Sequence, residues 1–399
     1  MDAHLKGGDI SNRGDRLMLR TVINQLSNAH QQPRLSVHNY FVPFEMRSRL
    51  GLRQTLWFPD YSRLSGLVGY PILKRYRQTL GLTLPKEIDW VFDLSGFCYT
   101  DHWGAENALN MRRYLNRQRD FDTKYVILPQ AFGPFEEPRL AEAFTDVANE
   151  AVLLCVRDDR SRGYLEELRI ETPILDAPDL TTIAPARVPT WCAEESPYVC
   201  VVPNSRMTEE RGGNAQESYV DFLSGVCERL DQEGAKILFL LFEARDQRLL
   251  TSVCEALGRE VLYLQEDDPV RLRGIIGEAE AIVASRYHAL VSALSQGVFA
   301  LGTSWSHKYE ELFKDYGCVD LLISDVSNKQ GVQERIDILV DTSTREKYTD
   351  TISAHAKDMK DRAVEMWSQV GKVAGLEGVD QLESKVNKGC PKKFGVSEN

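Results

Sequence analysis

The chain has no run of about 20 apolar residues, the length a helix needs to cross a bilayer, and no apolar stretch at its N-terminus like that of a secretory signal. It has no C-x-x-C pair and no cysteine beside a histidine at zinc-finger spacing, so its eight cysteines suggest neither structural zinc nor a redox motif. Several of them, such as Cys155 in Leu153-Leu154-Cys155-Val156, stand inside apolar runs, where a reduced thiol acts as a small core hydrophobe. A reducing, cytoplasmic setting is the expectation. Basic residues are not in excess either. A formal charge of -11 gives no broad attraction to nucleic acid or an anionic membrane, so no nucleic-acid partner is expected. There is no internal repeat and no low-complexity segment. An anionic ligand would have to be captured locally, by a few arginines and by backbone N–H groups.

What is present is ordinary globular composition, 43% apolar and 27% charged, in 399 residues, more than one hydrophobic core usually holds. Short β-branched runs alternate with amphipathic stretches, the pattern of parallel sheets with crossover helices. Strands are expected at 35–38, 90–94, 125–128, 152–156 and 173–175, with helices at 16–27, 105–119, 139–149 and 160–168. A second set follows, with strands at 198–202, 237–242, 261–264, 281–284 and 299–303 and helices at 217–233, 247–258, 269–276, 289–296 and 309–315. Residues 184–197 carry three prolines and little periodicity, as a linker does. The expected fold class is α/β, with two Rossmann-like open-sheet domains facing a cleft: an N-terminal domain over 1–185 and a C-terminal one over 197–342. A long terminal helix over 343–370 and a loose tail over 371–399 complete the chain. Ligands of open sheets bind outside the carboxyl ends of the strands, which points to the cleft.

Six strand ends carry polar groups. Gly7-Gly8-Asp9-Ile10-Ser11-Asn12-Arg13-Gly14-Asp15 precedes a helix with Leu19, Val22, Ile23 and Leu26 on one face. Its glycines permit a tight turn, Asp15 can cap the helix, and the free N–H groups can face an anion; a ligand-free turn is the competing reading. The strand before it is short, as in a chain that begins inside its domain. Ser95 and Gly96 follow one strand, and Gln130 and Gly133 another; each pair is a candidate for binding or a plain turn. Arg157 ends an apolar strand, where a guanidinium suits phosphate or carboxylate. A structural ion pair with Asp158, Asp159 or Asp179 is its alternative. In Ala284-Ser285-Arg286-Tyr287-His288-Ala289, a guanidinium and an imidazole stand at a helix N-terminus. The next strand delivers Ser304, Ser306, His307 and Lys308.

Taken together these segments resemble the polysaccharide pyruvyltransferase family. The likeness lies in the N-terminal loop (Gly8, Asn12, Gly14, Asp15) and the strand end Pro129, Gln130, Gly133, Pro134, Phe135. It extends to Val156, Arg157, Asp158, Ser161, to the junction Arg286, His288, Ala289, and to Lys308 after the following strand. Ser95-Gly96-Phe97 stands where the family carries two or three glycines. The resemblance implies an architecture similar to glycosyltransferase-B enzymes and transfer of pyruvate from phosphoenolpyruvate to two sugar hydroxyls as a cyclic ketal, with loss of phosphate.

On that reading Arg157, Arg286 and Lys308 hold the donor's anionic groups and His288 transfers protons. Asn12, Gly14, Asp15, Ser95, Gly96, Gln130, Ser285, Tyr287, Ser304 and His307 line the substrates, and His102 and Trp103 are candidates against the acceptor sugar. No resident metal or cofactor is expected, phosphoenolpyruvate being a co-substrate. The acceptor is a sugar or glycan, with a lipid-linked form as one option. Lys385, Lys388, Lys392 and Lys393 raise peripheral contact with the inner face of a membrane beside an ordinary solvated tail. The alternatives are a nucleotide-sugar glycosyltransferase or epimerase of the same architecture and a catalytically silent anion-binding protein.

Overall fold

A computed structural model describes residues 1–7, 12–38, 42–56, 74–195, 197–209, 215–304 and 306–382. Gly8 of the N-terminal loop and the tail residues Lys385, Lys388, Lys392 and Lys393 lie outside them. Among the described residues there are two parallel sheets, one of eight strands and one of six.

The eight-stranded sheet has the order β4-β3-β2-β1-β5-β6-β7-β8. Its strands are β1 (Asp2–Lys6), β2 (Arg34–His38), β3 (Arg53–Thr55), β4 (Leu82–Thr83), β5 (Trp90–Asp93), β6 (Lys124–Gln130), β7 (Ala151–Val156) and β8 (Ile174–Asp176). Its central strands read as continuous apolar runs because both faces are covered. On one face Val91, Ile127 and Leu154 pack against Ala108 and Leu115 of helix Glu106–Gln118 and against Leu140, Phe144 and Val147 of helix Pro138–Asn149. The strand order reverses beside β1, whose neighbours are β2 and β5. Such a switch point leaves a crevice at the carboxyl ends, here after Lys6 and Asp93.

The six-stranded sheet has the order β11-β10-β9-β12-β13-β14. It is built from β9 (Val199–Val202), β10 (Ile237–Leu240), β11 (Tyr263–Leu264), β12 (Ala281–Ala284), β13 (Phe299–Thr303) and β14 (Leu322–Ile323). Its switch point falls between β9 and β12, which pair from Ala281–Val199 to Ala284–Val202. The residues that follow these two strands, 203–205 and 285–288, therefore emerge side by side.

The chain divides into two compact units that do not follow chain order. The first contains residues 18–180 together with the opening strand and, from the far end of the sequence, residues 362–382. The second contains residues 181–361 and also Asn12–Leu17, the first turn of helix Arg13–Asn28.

Three expectations change. Within the expected linker 184–197, residues 187–192 are anchored rather than slack: Cys192 is fully buried, and Arg187 donates its N–H to Val270 O at 3.0 Å and its carbonyl lies over Gly274, where a Cβ would meet that oxygen at 2.2 Å. The terminal helix runs Thr342–Ala374 and is shared between the units. Residues 371–382, expected as loose tail, are anchored within the first unit, where Val379 is buried and its carbonyl accepts from Gln25 Nε2 at 3.0 Å. The apolar residues Leu376 and Val379 supply the burial.

Candidate active site

In the second unit β12 ends at Ala284, and Arg286 is the N-cap residue of helix Tyr287–Leu294. Its guanidinium does not stand open to a ligand. Nη2 donates to Asp246 Oδ1 and Oδ2 at 2.7 and 2.6 Å, Nη1 to Glu243, and Nε to Pro203 O at 3.4 Å. Asp246, with no exposed surface, also accepts from Ser205 Oγ at 2.6 Å. Burial pushes the Glu243 carboxyl up, but the charges of Arg286 and Arg245 outweigh it and hold it below its ordinary value. Burial likewise works against the charged Arg286, and Asp246 and Glu243 more than reverse that. Arg286 thus clamps the ends of β9, β10 and β12 together. Asp246 and Glu243 were not singled out in the sequence; the only signal was Glu243-Ala-Arg-Asp246 just beyond a strand.

Ser285 also points inward. Its hydroxyl lies 2.5 Å from Tyr219 OH and 2.6 Å from Thr303 Oγ1, and its carbonyl accepts from Asn204 Nδ2 and Tyr309 OH. It joins three strand ends.

His288 is the second residue of the helix, half-buried, with its ring edge-on to Tyr287 at 5.5 Å between centroids. Lys308 begins helix Lys308–Asp315 after β13. Its Nζ lies 5.2 Å from the Tyr287 ring centre and 5.8 Å from that of Tyr309, close enough for cation–π attraction. The imidazole and the ammonium thus each contact the Tyr287 ring. Ser304 follows β13, its N–H donating to Ile323 O at 3.3 Å, and His307 is the N-cap residue of the next helix.

The first helix turn, Asn12–Leu17, belongs to this same unit. Asn12, not Asp15, performs the cap: its Oδ1 accepts the Gly14 N–H at 2.8 Å, and its carbonyl accepts from Arg16 N. Asp15 is one turn too late, the third residue of the helix. One of the N–H groups expected to face an anion is thereby taken.

At the switch point of the first unit Asp93, fully buried, ends β5. It accepts from Tyr99 OH at 2.6 Å, Tyr125 OH at 2.7 Å, Ser95 Oγ at 2.5 Å and Ser95 N at 2.9 Å. Burial, then the Asp93 charge, push both phenols well above their usual range, so they stay protonated donors. Gly7, at φ +91, presses on Ser95, whose N and Cα would lie 2.8 Å from an added Cβ. Gly96 accepts the Ala131 N–H at 3.0 Å, which brings the Ser95-Gly96 turn beside the end of β6. Gln130 is fully buried, and neither amide atom has a hydrogen-bond partner among the described residues. Arg157, after β7, pairs through Nη1 with Asp179 at 2.8 Å, both side chains buried. That pair is one of the structural alternatives the sequence allowed. His102 and Trp103 pack edge to face at 4.6 Å, and Trp103 is exposed.

Comparison with known proteins decides the family. The model of the polysaccharide pyruvyl transferases matches residues 12–307. The chain belongs to this family. It is accordingly a transferase, and Arg157, Arg286 and His288 fall within the match, while Lys308 stands one residue beyond it. No curated protein matches. Among solved structures, the chain is similar to S. aureus MnaA with UDP, at 12% identity and a TM-score of 0.58 over 99% of both chains. A UDP-GlcNAc 2-epimerase from Methanocaldococcus jannaschii shares 11% identity, with a TM-score of 0.55 over 86% of this chain and 94% of that one. For the glycosyltransferase VinC with dTDP the values are 15% and 0.50, over 95% and 99%. At such identities the likeness establishes the fold, an α/β architecture of two parallel sheets shared with glycosyltransferase-B enzymes and epimerases. Among the described residues of this transferase no group of three or more His, Cys, Asp or Glu side chains forms a metal-ligand set, and no helix is long and apolar enough to cross a membrane.

Proposed function

We propose that this transferase moves the pyruvyl skeleton of phosphoenolpyruvate onto two hydroxyls of a sugar in a glycan or glycan precursor. The product is a cyclic ketal, and phosphate is released. The reading is carried by the family match over residues 12–307, which includes the Arg286-Tyr287-His288 junction.

Phosphoenolpyruvate becomes electrophilic at C2 once C3 accepts a proton. A first sugar hydroxyl then adds to C2 and loses its proton, phosphate leaves with a proton, and the second hydroxyl closes the ring as it loses its own. His288 is assigned the proton given to C3 and the one taken from the first hydroxyl. Lys308, which like His288 contacts the Tyr287 ring, is assigned the positive charge toward the donor's phosphate and carboxylate. Arg286, whose donors are taken by Asp246, Glu243 and Pro203, is reassigned from donor binding to fixing the strand ends that carry His288. Arg157 remains a donor-binding candidate on the family resemblance alone. No metal or further cofactor enters this scheme.

General acid–base assistance contributes about 100 to 10,000-fold, so His288→Ala should lose turnover by that order while retaining donor affinity. Lys308→Ala and Arg157→Ala should raise the KM for phosphoenolpyruvate. The assay is phosphate release across galactose, mannose, glucose and amino-sugar acceptors, free and lipid-linked, with nucleotide sugars as alternative donors. Absence of release with every acceptor, or full activity in His288→Ala, overturns the proposal.

A further inference from the structure

Gly14 is a glycine that its backbone does not need. It lies in the first turn of helix Arg13–Asn28 with ordinary helical φ, where glycine is less favourable than alanine by about 1 kcal/mol. The space around it supplies the reason. A Cβ at position 14 would sit 2.0 Å from His288 Nδ1, 2.5 Å from Cγ and 2.9 Å from Cβ, so the imidazole lies directly on the helix backbone. Leu17, one turn on, and Ser292, one turn beyond His288, line the same small cavity.

A second observation fixes that turn in place. Arg13, about 5% exposed, spends all three guanidinium nitrogens on the second unit: Nε on Glu266 O at 2.8 Å, Nη1 on Phe242 O and Nη2 on Asp267 Oδ1 at 2.8 Å. Two of these acceptors are backbone carbonyls, beyond β10 and β11. A planar fork can serve them together; a single ammonium cannot. The turn is thus clamped within the second unit, which also carries His288.

We infer that Arg13 and Gly14 are positioning residues for His288: Arg13 clamps the helix turn to the second unit, and the bare Gly14 backbone forms the wall that holds the imidazole in one orientation. The consequence for catalysis rests on the proton-transfer role proposed for His288, whereas the positioning itself does not.

The test uses the full-length protein with labelled histidine. In the wild type, His288 ring protons should show a nuclear Overhauser effect to Gly14 Hα. Gly14→Ala should displace the His288 chemical shifts and titration midpoint, with the other imidazoles unmoved. Arg13→Lys, which keeps the charge and loses the fork, should do the same to a smaller degree. Gly225→Ala is the control, a glycine in helix Ala215–Gln232 with no atom near the added methyl, and should leave His288 as it is. In phosphate release, Gly14→Ala should lower kcat by about 100-fold, the scale of a misplaced catalytic group, with a smaller change in KM. A His288 titration superimposable on wild type in either folded variant overturns the inference, as does a missing wild-type contact to Gly14, which decides the matter even if Gly14→Ala does not fold. If the wild type releases no phosphate at all, the functional reading fails and the resonance data still judge the positioning.

Discussion

Asp246 shows how much one side chain can hold. Its two oxygens receive Arg286 Nη2, Ser205 Oγ and the Glu243 N–H, all within 3.0 Å, in a place without solvent. Removing one partner of such a pair leaves the other charge buried, so Asp246→Ala should cost about 3 to 5 kcal/mol in denaturant unfolding. Asp246→Asn, which keeps an acceptor, should cost less. His4 in the first unit is a different case. Burial, reinforced by Lys6 and His38, lowers its pKa from 6.5 to about 3, and its Nδ1 lies 2.9 Å from Thr55 Oγ1. Between those two values the unfolded chain binds the proton and the folded one does not, so stability falls as pH drops from 6.5 toward 3, by up to about 1.4 kcal/mol per pH unit. Unfolding free energies at pH 7, 5.5 and 4.5 should show this slope, flattened in His4→Gln. At this scale the sequence was a partial guide. It marked Arg157, Arg286 and His288 as chemically unusual and offered Asp179 among three partners for Arg157, yet Asp246 and Gly14 stand 40 and 274 positions from Arg286 and His288, and no local pattern ties them together.

At the scale of the element, the legible parts were those whose burial is set by their own residues. β12 is Ala-Ile-Val-Ala and β7 Ala-Val-Leu-Leu-Cys-Val, apolar enough to declare themselves. β3, β4 and β14, of three, two and two residues, are strands only because a neighbour pairs with them, so periodicity had nothing to act on. Motifs shared with a family are also partly local architecture. In Val156-Arg157-Asp158-Asp159-Arg160-Ser161, Asp158 caps helix Asp159–Glu166 by accepting from Ser161 N at 2.8 Å, and Ser161 Oγ accepts from Phe132 N at 2.9 Å. Asp158→Ala should therefore destabilise by about 1 kcal/mol. Thermal unfolding with kcat measured alongside would separate that structural share from any effect on turnover.

Across the whole molecule, the core of the first unit is completed by residues 362–382. Trp367 and Val370 are fully buried, Met366 nearly so, and the backbone of 377–379 receives Gln25 and His30. A chain ending at Asp361 should expose the hydrophobic surface these residues cover and lose protease resistance in peptides from 18–180. Limited proteolysis with peptide mapping would show it; resistance equal to that of the full chain would mean that the terminal helix is dispensable. What the sequence by itself determined was the succession of the longer strands and helices, the two-sheet α/β class and the family, because these depend on apolar period and on motif order. Which charges are spent on one another, and that a helix turn from the start of the chain packs on a histidine near position 290, were decided only by the tertiary structure. Burial makes an unpaired charge costly, and folding finds it a partner wherever the chain brings one within reach.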